Sequence, residues 1–170
     1  MPRVVVDAMG GDSAPGEVVR GAVAAAAEGH DIVLAGDTER IAPILDQLGA
    51  DLPIVHASQV IEMHDDAARA IRDKKDASIL VAARLVAGGD ADALVSAGST
   101  GAVLAAAAFV IGRLPDVSRP AIASVFPTGD IILDAGANID VRPGHLVQFA
   151  VMGTAIGQVY SGLESPRVGL

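Results

Sequence analysis

The sequence predicts an α/β protein: a mainly parallel sheet covered on both faces by helices. Short β-branched runs alternate with longer segments of helical periodicity. The short runs are continuously apolar, as strands buried on both faces are. Abundant alanine and glycine permit close backbone approach, which suits helices packed tightly on such a sheet.

Each element follows from local signals. Arg3–Val6 reads as a strand and Pro15–Glu28 as the helix after it, with Ser13 as N-cap, Pro15 in the first turn and Gly29 as the C-terminal glycine. Asp31–Ala35 is a second strand. Thr38–Leu48 is a helix capped by Asp37 and closed by Gly49, with the internal Pro43 expected to bend or shorten it. Pro53–His56 is the third strand and Ala57–His64 an irregular stretch. Helical periodicity returns over Asp66–Val86, with an interruption expected near Lys74–Asp76. Ala93–Ser96 reads as a buried strand and Thr100–Ile111 as a helix. Ile122–Phe126 and Ile131–Asp134 are strands around a Pro127–Asp130 turn, and Gly144–Tyr160 is a final helix. Arg167–Leu170 reads as the start of a further strand. The expectation is a single α/β domain over 1–170, the N-terminal half of a longer protein.

Composition narrows the function classes. The 170 residues suffice for one domain with a sizeable core. Mean hydropathy is +0.47, yet no stretch approaches the roughly 18 unbroken apolar residues of a membrane span. The richest run, Ala102–Gly112, ends after about three helical turns. No signal peptide is visible, so a cytoplasmic protein is expected. The absence of cysteine excludes disulfides, thiolate metal sites and a cysteine nucleophile. A net charge of −9 and 2% aromatic residues argue against nucleic acid as a partner.

Three small, polar loops follow strands, where open α/β sheets bind ligands. They are Asp7–Asp12 with adjacent Gly10 and Gly11; Ser96–Ala102 with Gly98, Ser99, Thr100 and Gly101; and Asp134–Asn138. Exposed backbone N–H groups and a following helix suit an anion. Singly, each loop also reads as an ordinary turn or helix cap; three on one sheet favour a site. No Gly-Lys-Ser/Thr follows, so there is no P-loop, and Gly10-Gly11 lacks the third glycine of the dinucleotide fingerprint. No Gly-x-Ser-x-Gly elbow supports a hydrolase triad.

Five of the twelve cationic residues, Arg69, Arg72, Lys74, Lys75 and Arg84, lie within sixteen positions. They read either as a solvated helix face or as a positive patch for phosphate or an acidic partner. Glu62, His64, Asp65 and Asp66 read as the acidic start of a helix in preference to a metal site. His56 is expected to be hydrogen-bonded and half-buried, and His30 and His145 to occupy surface or cap positions. Arg119-Pro120 and Arg142-Pro143 place two arginines in extended backbone, to clamp an anion or to pair with carboxylates.

Taken together, Val6–Asp12, Val55–Ser58, Ile61–Met63, Lys74–Asp76, Ser96–Ala102, Arg119–Ala121 and Leu133–Asn138 resemble the bacterial phosphate acyltransferases of phospholipid synthesis. The resemblance runs from Arg3 to Leu170. It departs at Ser99, where the family usually has asparagine, at Ala135 and at Val141. It implies a Rossmann-like αβα fold similar to the isocitrate and isopropylmalate dehydrogenases, and a homodimer with a cleft near the dimer contact. It also implies transfer of a fatty acyl group from acyl carrier protein to inorganic phosphate, with no cofactor or metal. Membrane contact is expected through a further half. The substrate-binding candidates are Asp7, Gly10, Gly11, Lys74, Lys75, Ser96, Gly98, Ser99, Thr100, Gly101, Asp134 and Asn138. Two alternatives stand beside this reading: a phosphate acetyl- or butyryltransferase using coenzyme A thioesters, and a non-catalytic anion-binding domain.

Overall fold

The computed structural model describes residues 1–169 and divides into two units, Met1–Gly112 and Arg113–Leu170. In the first, β1 (Arg3–Asp7), α1 (Gly16–Ala27), β2 (Asp31–Gly36), α2 (Thr38–Leu48) and β3 (Ile54–His56) follow one another. Then come α3 (Ala67–Asp73), α4 (Ser78–Gly88), β4 (Ala93–Val95) and α5 (Thr100–Ala106), which continues into a π-helical turn, Ala107–Ile111. The four strands form one parallel sheet in the order β3-β2-β1-β4, as the α/β pattern predicts.

The period of two along the strands sorts the core. Val6 of β1 with Ile32 and Leu34 of β2 faces Val19 and Ala22 of α1 and Ile41 and Leu45 of α2. Val5, Val33 and Ala35 point to the opposite face, against Val81 and Ala82 of α4. The far side of α4 packs Ile79, Leu80 and Ala83 against Ala70 of α3 and Ala102 and Ala106 of α5. Buried on both sides, α4 has every residue from Ser78 to Ala83 inaccessible, which explains its nearly uncharged sequence.

Helix ends follow the expected chemistry with one correction. Asp37 caps α2 by accepting the Glu39 N–H at 3.0 Å, and Gly49 closes it at φ 62°. Asp66 caps α3 through the Arg69 N–H at 2.8 Å. The interruption falls where expected, between α3 and α4. Ser13, however, does not cap α1: the helix starts at Gly16 after Pro15 with no side-chain cap, and only the Ser13 carbonyl takes part, accepting the Glu17 N–H. Pro43 does not shorten α2, which runs unbroken to Leu48.

The strand at Ala93–Val95 is not the buried strand expected. Among the described residues β4 pairs with β1 alone, so it is an edge, and Val95 is 54% exposed.

In the second unit β5 (Ala123–Val125) and β6 (Ile131–Leu133) form an antiparallel hairpin, Ser124 opposite Ile132. The predicted turn closes it, with the Phe126 N–H donating to the Asp130 carbonyl at 2.8 Å. Helix α6 (Pro143–Ser161) packs on β6 and buries Phe149. Its N-terminus is closed by His145, whose Nδ1 accepts the Arg142 N–H at 3.1 Å, the cap position expected for that histidine. Arg167–Gly169 form no strand, contrary to expectation, and Leu170 lies outside the described residues. No helix among the described residues is long and apolar enough to cross a membrane.

Candidate functional site

Strand order locates the site. The chain steps outward from β1 to β2 to β3, then returns through α3 and α4 to place β4 on the other side of β1. Such a reversal opens a crevice beyond the carboxyl ends of the two strands that flank it. Those ends carry Asp7–Asp12 and Ser96–Ala102.

The two loops lock onto each other. Asp7, 2% exposed at the end of β1, accepts the Ser96 hydroxyl at 2.7 Å and, more loosely, the Met9 N–H at 3.4 Å. The Ser96 oxygen in turn accepts the Gly98 N–H at 3.1 Å. A buried carboxylate has to find such donors, because leaving it unpaired is costly. The glycines are required by the same contact. A Cβ on Gly10 would lie 2.5 Å from Asp7 Oδ2, 2.8 Å from Ser96 Oγ and 2.9 Å from the Gly98 nitrogen. Gly11 sits at φ 110° against Ala97, a conformation side chains disfavour.

Two spaces adjoin this lock. A small one, about 10 Å³ and close to the size of a single water, is lined by Asp7, Gly10, Ser78, Ser96, Gly98 and Ser99. An open one of about 390 Å³ is lined by Gly11, Asp12, Arg40, Glu62 and His64. Val60 and Ile61 wall both. Among the described residues the N–H groups of Gly11, Asp12, Ser99 and Thr100 donate to no protein acceptor, and Arg40 makes no ion pair. Unused backbone donors and one cation are what an anion needs.

The other sequence candidates part company. Lys74 turns inward: its ammonium donates to Asp65 Oδ2 at 2.5 Å and to the Val60 carbonyl at 2.8 Å, fastening the wall formed by Val60 and Ile61. That ammonium holds the Asp65 carboxyl below its usual range, with help from the Glu62 N–H. Lys75 is exposed, and neither lysine lines the small space. Thr100 is exposed and Gly101 packs against Ala67. Asp76 is lowered by the Ser58 hydroxyl and N–H that bind it, which pins the start of the same irregular stretch. Among the described residues no group of three acidic or histidine side chains could hold a metal.

Asp134 and Asn138 belong to the second unit and form a knot of their own. Asp134 Oδ1 accepts the Ile122 and Ala137 N–H groups at 2.8 and 3.1 Å. Its Oδ2 accepts the backbone and side-chain nitrogens of Asn138 at 2.7 and 2.9 Å. Burial alone would raise the Asp134 pKa, but these donors outweigh it and the net direction is downward. Asn138 also donates to the Pro120 carbonyl at 3.0 Å. Arg119 donates from one guanidinium nitrogen to the Asp140 carbonyl at 3.0 Å and makes no ion pair among the described residues. His56 is hydrogen-bonded to Thr38, as expected, but is exposed and not half-buried.

Sequence reading missed Ser78, Arg40 and the placement of His64. Ser78 opens a helix inside an apolar run, and a serine there reads as a cap. Arg40 carries no local signal; only the packing of α2 beside the first loop brings it to the open cleft.

The fatty acid synthesis protein family matches residues 2–170. A phosphate acyltransferase of Geobacter sulfurreducens is 52% identical over 99% of this chain and 51% of its own length. Those of Desulforamulus reducens and Desulfitobacterium hafniense are 51% and 48% identical over 100% of this chain, covering 53% and 52% of their own lengths. The chain thus spans about half the length of the curated relatives it matches.

Two outcomes follow from the geometry. Gly10→Ala should destabilise the protein by about 1–3 kcal/mol, the range for forcing a methyl into a packed site, read as a lower urea midpoint with an unchanged slope. Asp134→Asn should cost about 1–3 kcal/mol at neutral pH by weakening charge-assisted hydrogen bonds. Because the folded pKa of Asp134 is lowered, its contribution is fully present above the unfolded value of about 3.9 and disappears as pH falls through the folded one. Urea titrations of both proteins should therefore converge below that range.

Proposed function

This chain belongs to the fatty acid synthesis protein family, and from that premise we propose that the protein carrying it transfers a fatty acyl group from acyl carrier protein to inorganic phosphate. The product is an acyl phosphate for phospholipid synthesis. The reaction belongs to the cytoplasm, beside the membrane that consumes its product, and the working unit is a homodimer.

The observation that carries the reading is the interlock of Asp7–Gly11 with Ser96–Ser99 at the strand-order reversal. Around it the N–H groups of Gly11 and Asp12, beside the open space, and of Ser99 and Thr100, at the start of α5, have no protein acceptor among the described residues. Phosphate bound there needs positioning more than activation. A phosphate oxygen attacks the thioester carbonyl, the carbon–oxygen bond forms, and N–H donors stabilise the oxyanion. The carbon–sulfur bond then breaks. The thiolate, whose conjugate thiol has a pKa near about 8.5, takes the proton that hydrogen phosphate gives up. Asp7 and Lys74 are positioning residues in this scheme. Asp7 fixes the loops, and Lys74 fixes the wall through Val60 and Asp65.

The test uses protein expressed from its full reading frame, with acyl-(acyl carrier protein) in the presence and absence of phosphate. Acyl phosphate should accumulate, and carrier thiol be released, only with phosphate present. Equal consumption of the thioester without phosphate would remove the reading.

A further inference from the structure

The cationic cluster on α3 and α4 is not absorbed by the cleft. Of its five members, Lys74 pairs with Asp65 and Arg69 with Asp73. Arg72 and Arg84 donate to main-chain carbonyls, those of Ala68 and Lys75 at 3.0 and 2.9 Å, and neither makes an ion pair among the described residues, although the charge of Arg84 also acts on Asp76. Lys75 makes no ion pair among the described residues. Asp73 and Asp76, the carboxylates beside them in sequence, are occupied by Arg69 and Ser58.

Arg72 and Lys75 edge an apolar groove of about 450 Å³, floored by Ile71, Leu80 and Val110. Its other edge is Phe109 on the π-helical turn, 76% exposed. A large exposed aromatic beside a concave apolar surface has the composition of a binding anchor, and a rim of uncompensated charge sets partner choice. The sign is unusual for this molecule. In a chain of net charge −9, acidic proteins are repelled almost everywhere.

We propose that this groove docks the acyl carrier protein through an acidic face that presents an apolar side chain. The proposal rests on the acyl transfer argued above. Arg72 and Lys75 meet carboxylates of the carrier, and the apolar side chain enters between Ile71 and Phe109. A concave seat suits a protruding protein side chain, whereas a bilayer offers a flat surface. Arg72, Lys75 and Phe109 are all exposed, so their replacement leaves the core intact.

The experiment measures calorimetric binding of acyl carrier protein to full-reading-frame protein, together with the KM for its acyl thioester. The double variant R72E/K75E should weaken binding and raise KM about tenfold or more with kcat unchanged, and should lose the salt dependence of the wild type. Phe109→Ser should weaken binding while keeping that salt dependence. Unchanged carrier binding in both variants overturns the proposal. So does a loss confined to binding of anionic phospholipid vesicles, which would make the surface a membrane contact. Absence of phosphate-dependent transfer in the wild type removes the catalytic reading instead, and the binding comparison still decides the groove.

Discussion

The site depends on one hydrogen bond, from the half-buried Ser96 hydroxyl to the buried Asp7 carboxylate. Parallel strands bring β1 and β4 side by side but do not fix the loops beyond them. A carboxylate enclosed there must be satisfied, and the nearest partner is the serine that opens the second loop. Once that bond forms, Gly10 and Gly98 have to approach without side chains, and the loops become one surface. Polar necessity at one atom thus dictates small residues at several positions.

The same device recurs in the second unit. Asp134 directly follows β6, as Asp7 closes β1, and its carboxylate is enclosed by donors of its own loop and of Ile122, just ahead of β5. In both places an acidic residue at the end of a strand organises the backbone of the loop beyond it. The Asp7 carboxylate holds the loops, while Gly11, Asp12 and Arg40 line the open space.

Much of the fold is legible in the sequence because its signals are local. Apolar strands, the Asp37 cap, Gly49 and the break after Lys74 each need only a few neighbours to read. Errors arose where the outcome is set at a distance. Ala93–Val95 is apolar enough for a central strand, yet strand order makes it an edge. At the candidate site, the loops are legible in the sequence but the contacts within them are not. Lys74 and Lys75 are adjacent in sequence, yet one ammonium is inside a salt bridge and the other is exposed beside the Phe109 groove. Arg40 and Ser78 reach the cleft only through tertiary packing.

The central claim is that the loops after β1 and β4 accept one anion together. Amide hydrogen exchange with and without inorganic phosphate tests it most directly. The account predicts slower exchange at Gly11, Asp12, Ser99 and Thr100 together, with the Asp134–Asn138 knot unaffected. Phosphate that left both loops unchanged, or protected only one of them, would contradict it.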